Sequence, residues 1–599
     1  MILLIIMYDF LLQIKANSFY DPYKENDYFE RRDTENIDEK ACWFMFNGLT
    51  SNRNKYYYSD SNNLIWICGD IFLREGYKVN YFRNLSADFV LNDLINLQNI
   101  HIKYKGNYCI FRIDKNTRNL QIVNSQLGIC HVYYYHSSNV FIVSNNLNHF
   151  KHLNFKYNNT AIYQKMMFTY ELNDSTSFIG VKRLKSGEII NFENSSINKS
   201  IGSCIKNLFE PKGFEKFDVE KYNSLFNSSV KEKALCDDNI NVSFTGGFDG
   251  RTIVSSLLNQ GLSVNAYSFG KIKGENTRIP LGISKKIGIK YSPVYLEEDY
   301  ENNYVKDAKK VIYFSDGMSF NERANYIYAF RKLAEKSRYV LSGLIGGETL
   351  RPVHLRTDYL NENYYQLFYL NNQNLVNNYF QSKLVKGSIN CLDNDSISEL
   401  KEVVYEKQSD IRNYRNKENG FLYYLYDLME TGFRMYYGTE IHFERQYCTN
   451  LTPFYDIDLL QYLLSTDYVE IFKQAFKPGK IHRWGGQKIY AKIIERNFKL
   501  LNQYSVDRGY PPGYLLNPLK LLFIPYLYYK RKNNRKYYID FDENKWSKLF
   551  LEDFITSNYK NEIIFNQTAL KERAESNLKN GLHSSEFNRI ISLQTWFNQ

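Results

Sequence analysis

Short apolar-rich runs separated by polar turns dominate the first third of the chain. Leu64-Ile-Trp-Ile-Cys68, Tyr108-Cys-Ile-Phe-Arg-Ile113, Leu120-Gln-Ile-Val123, His131-Val-Tyr-Tyr-Tyr135 and Asn139-Val-Phe-Ile-Val-Ser144 have strand length and β-branched or aromatic content. Asp114-Lys-Asn-Thr117 and His136-Ser-Ser-Asn139 supply turns. Helical stretches interleave at 86–96 and 160–168. The pattern predicts an α+β unit of antiparallel sheet over residues 1–195. Its opening run, Met1-Ile-Leu-Leu-Ile-Ile-Met7, fits a buried first strand. It lacks the basic flank and small-residue cleavage site expected of a signal peptide.

Residues 195–211, rich in Asn, Ser and Lys with little periodicity, read as a linker. The pattern then changes. A helix over 218–235 leads to a strand over 240–244, a glycine-rich loop and a helix over 251–260. A strand (263–269), a helix (279–287) and a strand (291–295) follow. A helical stretch (321–336) then runs into the strand Tyr339-Val-Leu-Ser342. Such alternation predicts a doubly wound parallel α/β sheet, in a second domain spanning 210–599. Beyond residue 355 the chain reads mostly helical. Residues 360–420, rich in Tyr, Asn and Leu, read either as a lid over a cleft or as plain packing helices.

Composition narrows the function classes. Of 599 residues, 44% are hydrophobic and 24% charged, ordinary for a globular chain with a real core. The net charge of +11 is scattered, so it implies only a lean towards anionic partners, which ATP would satisfy. The 53 tyrosines and 41 phenylalanines accompany abundant Asn, Lys and Ile, a bias of coding sequence; no nucleic-acid partner is expected from them. None of the eight cysteines forms a CxxC pair, and the nine histidines form no HExxH. Reduced cysteines, a cytoplasmic location and no structural zinc are the expectation. No run of about eighteen apolar residues exists, so no transmembrane helix is predicted.

The string Val242-Ser-Phe-Thr-Gly-Gly-Phe-Asp-Gly-Arg251 carries the clearest chemistry. Paired glycines after a strand let the backbone approach a ligand. The following helix offers free N–H groups and a positive dipole end to phosphate oxygens. Asp249 adds a carboxylate suited to Mg2+ on pyrophosphate, and Arg251 a nearby cation. A tight β-α turn without ligand is the plainer alternative.

The string resembles the Ser-Gly-Gly-x-Asp-Ser loop of the ATP-pyrophosphatase superfamily, and the asparagine synthetase family in particular. Thr245 keeps the first hydroxyl; Gly250 loses the second. Ala266-Tyr-Ser-Phe-Gly270 lies where that family contacts adenine and ribose. Val340-Leu-Ser-Gly-Leu-Ile-Gly-Gly-Glu348 is similar to its Leu-Ser-Gly-x-Gly-x-Asp-Glu signature, and Pro453-Phe-Tyr-Asp456 to its Pro-Phe-Leu-Asp. The resemblance implies ATP binding by Thr245, Gly246, Gly247, Asp249, Gly250, Arg251, Ser268, Ser342 and Gly343, with Asp249 as metal ligand. It implies catalytic roles for Glu348, Arg351 and Arg508, although Glu348 and Arg351 also fit a surface ion pair at a helix start. Three departures fall on the acceptor side. Gly347 takes the place of the second magnesium carboxylate, Leu344 that of the synthetases' catalytic acid, and Asp507, in Val506-Asp-Arg-Gly-Tyr510, that of the catalytic lysine.

The first region resembles the class II glutamine amidotransferase domain, an N-terminal-nucleophile fold. Cys68-Gly-Asp-Ile71, Gly106-Asn-Tyr108, Gln126-Leu-Gly-Ile-Cys-His-Val-Tyr133 with its neighbour Tyr134, and Lys185-Ser-Gly-Glu-Ile189 carry the likeness. The chemistry needs an N-terminal cysteine. Position 2 is Ile, and exposing Cys42 would remove the first strand. Cys68 replaces the oxyanion Asn and Asn107 the glutamine-binding Asp. An inactive scaffold is expected.

The reading that follows is a ligase that adenylates a small-molecule or peptide carboxylate, releases pyrophosphate, and passes the acyl group to ammonia or a substrate amine. Asparagine synthesis from aspartate is the second reading, opposed by Leu344 and Asp507. A non-catalytic ATP-binding scaffold is the third. Separately, Leu519-Lys-Leu-Leu-Phe-Ile-Pro-Tyr-Leu-Tyr-Tyr529 precedes a basic cluster, so 519–536 reads as a helix packed on the domain or as a membrane-surface contact.

Overall fold

The computed structural model describes residues 9–14, 32–38, 41–46, 57–59, 61–74, 100–138, 140–202, 205–209, 214–351, 362–390, 392–415, 420–476, 484–534, 540–557, 559, 564–581 and 584–599. The expected strand at 1–7 and helix at 86–96 lie outside them.

Twelve strands build the first region. They are β1 (Asp9–Ile14), β2 (Arg32–Asp38), β3 (Ala41–Phe46), β4 (Tyr57–Ser59), β5 (Asn63–Leu73), β6 (Tyr104–Asp114), β7 (Leu120–Asn124), β8 (Tyr133–His136), β9 (Phe141–Ser144), β10 (Lys182–Arg183), β11 (Glu188–Glu193) and β12 (Ser196–Ile201). They form two six-stranded sheets, ordered β10-β8-β9-β1-β3-β2 and β12-β11-β7-β6-β5-β4, with antiparallel neighbours. Alternation along β1 explains how they stack. Phe10 and Leu12 enter a core with Trp66, Phe111 and Ile122 of the second sheet, the Phe10 and Trp66 rings 4.5 Å apart edge to face. Leu11, on the opposite face, joins a second core with Ile162 and Met166 of α1 (Asn159–Phe168).

The expected linker at 195–211 is corrected. Its first part is β12, paired to β11 through Glu193↔Ser196. Asn194 and Ser195 both have positive φ (47° and 68°), the pattern of a two-residue hairpin turn. β12 is a largely exposed edge strand, so burial imposes no apolar alternation for a sequence to show.

After α2 (Val219–Ala234) comes the parallel unit. β13 (Asn241–Ser243), α3 (Asp249–Asn259), β14 (Asn265–Tyr267), β15 (Phe269–Gly270), α4 (Glu275–Ile287), β16 (Lys290–Tyr291), β17 (Val294–Tyr295), α5 (Glu298–Phe314), α6 (Ala324–Ala334), β18 (Tyr339–Leu341) and β19 (Thr449–Leu451) follow in order. The sheet runs β16-β14-β13-β18-β19, all parallel. The expected strands at 263–269 and 291–295 are each broken in two. Ser268 leaves the main ladder, its Oγ bonding the Tyr291 hydroxyl at 2.6 Å, and β15 pairs with β17 as a separate ribbon. The order reverses between β13 and β18. In open α/β sheets that switch point, at the carboxyl ends of the strands, is where ligands sit.

Residues 375–381, 383–388 and 394–415 are helical and belong to the same core as α1, through Val376, Val385, Leu400 and Val404. They are packing helices. None of the described residues of 360–420 lines the cavity described next.

Candidate active site

A cavity of about 800 Å³ opens at the switch point. It is lined by Ser243, the last residue of β13, by Thr245, Asp249 and Gly250 after it, and by Ser342 and Gly343 after β18. The two loops are in close contact. A Cβ at Gly343 would lie 2.6 Å from Asp249 Cβ, and one at Gly250 would lie 2.4 Å from the Ser243 carbonyl oxygen. Glycine is therefore the side chain these two positions admit without displacing backbone or Asp249. The hydroxyl of Thr245 accepts the Gly247 N–H at 3.2 Å. At the start of α3, Phe248 provides no side-chain cap, so the first-turn N–H groups depend on another acceptor.

Asp249 is held from one side. Its Oδ2 accepts Arg351 Nη2 at 2.9 Å, while its buried Oδ1 accepts no hydrogen bond at normal geometry. Burial pulls the Arg351 guanidinium down, and Asp249, Tyr490, Glu348 and Asp507 together more than offset this, leaving it above its ordinary value. Arg351 is buried, which corrects the surface ion-pair alternative. Glu348 is buried too, and its charge acts on Arg351. Neither belongs to the cavity wall.

Arg251 requires a correction. Its guanidinium is fully buried and donates to the carbonyls of Leu501 (2.9 Å), Tyr504 and Ser505 (3.1 Å). Burial brings its pKa down to about 10. It fixes the chain after α9 (Trp484–Phe498), and it offers no cation to the loop beside it. Gly246 lies at the 506–510 turn, where Asp507 N donates to the Gly246 carbonyl at 3.1 Å. Arg508 sits on that turn, half-exposed and outside the wall. Ser268 lines the cavity with Tyr267 and Asn276.

The cavity wall also carries residues that motif matching missed. Glu440 and Glu444 lie one turn apart on α7 (Arg434–Glu444), and both line the cavity. Ser342 Oγ donates to Asn450 Oδ1 at 2.6 Å, and Asn450 Nδ2 donates to Glu444 Oε2 at 2.6 Å. This chain links the loop after β18 to the acid pair. Glu444 Oε1 is buried with no hydrogen bond. Burial, and then the neighbouring Glu440 charge, push the Glu444 carboxyl well above its ordinary value. Burial also raises Glu440, against the pull of Arg323, 3.9 Å away. The available signal was two carboxylates at i and i+4 in a helix whose neighbours include Ile441 and Phe443.

Asp456 serves elsewhere. It caps α8 (Ile457–Leu464) and pairs with Lys233 (3.1 Å) and with Lys105 of β6 (3.3 Å). It joins the two regions rather than facing the cavity.

In the first region, Cys68 and Asn107 are buried near Arg445, which directly follows α7. Arg445 pairs with Asp70, and its Nη1 lies 3.1 Å from Cys130 Sγ. Cys130 Sγ in turn donates to the Asn107 carbonyl at 3.0 Å. A hydrogen bond from Cys68, with burial opposing and Arg445 assisting, brings the Cys130 thiol down to about 7. Among the described residues no cluster of three or more His, Cys, Asp or Glu is placed to hold a metal, and no helix is long and apolar enough to cross a membrane.

No family model matches the chain, and no curated protein matches it. Among solved structures, the glutamine phosphoribosylpyrophosphate amidotransferase from B. subtilis complexed with ADP and GMP is 10% identical, over 42% of this chain and 51% of that one, at a TM-score of 0.16. An allosteric regulatory enzyme of purine biosynthesis is 9% identical, over 48% and 59%, at 0.18. NMN synthetase from Francisella tularensis is 11% identical, over 38% and 97%, at 0.19. The chain thus spans little more than half the length of the first two. Likenesses of this size carry no functional weight.

Proposed function

We propose that the chain is an ATP-dependent carbon–nitrogen ligase that forms an acyl-adenylate and then an amide in this cavity. The observation that carries this is the junction of the two switch-point loops on Asp249, with Gly343 and Gly250 admitting the close approach. The uncapped first turn of α3 offers N–H donors and a positive dipole end to phosphate oxygens. A magnesium ion would be held by the Asp249 carboxylate in the cavity wall, which Arg351 orients through Oδ2. One protein carboxylate beside substrate phosphates is an ordinary arrangement for this ion. When bound, it neutralises charge on the departing pyrophosphate.

Two steps then follow in the cavity. The substrate carboxylate attacks the α-phosphorus and pyrophosphate leaves. An amine attacks the acyl carbon, AMP leaves with the C–O bonding pair, and the amine's surplus proton passes to a base. We assign that role to Glu444, whose carboxyl is held well above its ordinary value by burial and by the neighbouring Glu440 charge. Glu440 and Glu322, also in the wall, favour a cationic amine over a second anion. On this reading the first region acts as a scaffold for the second.

The test is direct. The full chain with magnesium should bind ATP by calorimetry, and Asp249→Ala should lose at least about ten-fold in affinity, some 1.4 kcal/mol. Pyrophosphate release should appear once a cognate carboxylate is supplied. A chain that binds no ATP with magnesium would sink the reading. One that binds ATP yet gives the same cellular product level as Asp249→Ala would favour a non-catalytic scaffold.

A further inference from the structure

Among the described residues thirteen large apolar side chains are exposed, and six fall within eleven positions: Leu519, Leu522, Phe523, Tyr526, Tyr528 and Tyr529. Leu519 and Leu522 are 75% and 76% exposed. Isolated apolar residues at a surface need no explanation, but a contiguous cluster does.

The cluster sits on ordered structure. Asn517 Oδ1 caps the short turn before it, accepting the Leu519 N–H (3.0 Å) and the Lys520 N–H (3.2 Å). The helix α10 (Ile524–Asn534) is anchored by buried Ile524 and by the Arg531–Glu275 ion pair. At Gly509, where φ is +89°, a Cβ would stand 2.7 Å from Arg531 Cβ, so the helix packs tightly on the turn beneath it. The exposed side chains are therefore presented by a fixed backbone.

Charge identifies the occupant. Residues 509–539 contain six Lys or Arg and no Asp or Glu. Lys520, Lys530 and Lys532 are exposed beside the apolar cluster. Leucine and phenylalanine at the tip, tyrosines along the flank and lysines around them match the strata of an anionic bilayer: acyl boundary, carbonyl level and headgroups. A protein interface instead tends to deplete lysine. We propose that the surface 519–532 docks on an anionic lipid bilayer as an interfacial contact. The apolar turn 519–523 would enter the acyl boundary, with the tyrosines and lysines of α10 at the headgroup level and no helix crossing the membrane.

The experiment is co-sedimentation of the full chain with vesicles of phosphatidylcholine alone, and of phosphatidylcholine with about 30% phosphatidylglycerol. Binding is expected to the anionic vesicles, to fall with added salt, and to be near background on the neutral ones. Leu522→Ser with Phe523→Ser, and separately Lys530→Glu with Lys532→Glu, should each weaken it at least about ten-fold. Both positions are exposed, so unchanged circular dichroism and melting temperature should accompany the loss. Absence of binding to anionic vesicles overturns the proposal, as does binding indifferent to both substitution pairs. A self-association that the Leu522→Ser, Phe523→Ser variant abolishes, with no vesicle binding, would overturn it in favour of a protein interface. None of these outcomes depends on ATP.

Discussion

Gly343 and Asp249 show what a single side chain decides here. Alanine at 343 brings a methyl to within 2.6 Å of Asp249 Cβ, so either Asp249 or its loop must move. Gly343→Ala should cost about 1–3 kcal/mol in urea unfolding and should weaken ATP binding further than that loss alone explains. Arg351→Met removes the partner that orients Asp249. ATP affinity is expected to fall roughly ten-fold, about 1.4 kcal/mol, in a calorimetric titration. Asp316 gives a pH signature. Its carboxyl accepts Tyr133 Oη (2.7 Å) and the Leu147 N–H (2.9 Å), and burial lifts its pKa to about 6. The folded state then holds a proton that the unfolded chain, with its carboxyl near 3.8, has released. This term favours folding below the unfolded value and is lost as pH rises from there to about 6. In Asp316→Asn, the pH slope of the urea midpoint across that window should flatten.

At the level of elements, α7 joins the two regions through its buried polar face. Glu444→Gln keeps the shape of that face and removes the base. Pyrophosphate release on adenylation should persist while amide formation drops on the order of 100-fold. In the unmodified chain amide formation should climb as pH passes upward through the raised Glu444 value, and that limb should be missing in the variant. Asp456 is a second crossing point. Asp456→Asn removes the carboxylate that Lys233 pairs with, while Lys105 keeps Glu232 (3.0 Å) and Asp458 (3.1 Å), so the expected loss by chemical denaturation is about 3 kcal/mol. The elements most legible in the sequence are those whose burial imposes a pattern. β5, β6, β7 and β9 follow the apolar runs, and α2, α3 and α4 fall within a few residues of expectation. β12 is exposed, and β19 is three residues, Thr449–Leu451, in a stretch otherwise helical. Neither has enough buried positions to announce itself. α5, with seventeen residues, is hidden by its charge: three acidic residues open it and lysines follow, so its buried tyrosines are easily read as loop.

For the whole molecule, an antiparallel unit followed by a parallel one was readable from periodicity alone, and the glycine-rich loop does stand at the reversal of strand order. Which residues complete the cavity was not readable, because they come together from distant stretches. Glu322, Glu440, Glu444 and Glu543 line the same cavity although more than two hundred positions separate the first from the last. Motif matching reads neighbours in sequence and has no access to such meetings. It also assigned Arg251 by adjacency to the loop, when burial sends its guanidinium to carbonyls at 501–505.

The Arg445–Asp70 pair spans 375 positions, and it immediately follows the helix that carries Glu440 and Glu444. Its consequence concerns inheritance. A lineage that loses one chemistry from the first region cannot let that region drift, because selection on the cavity reaches back through this guanidinium to Asp70 and Cys130. Among descendants, these buried polar positions should change slowly and in concert with 445, while exposed positions of the same sheets change freely. A deletion of residues 1–202 should yield aggregated protein, not a smaller ligase, as size-exclusion chromatography of the truncated chain would show.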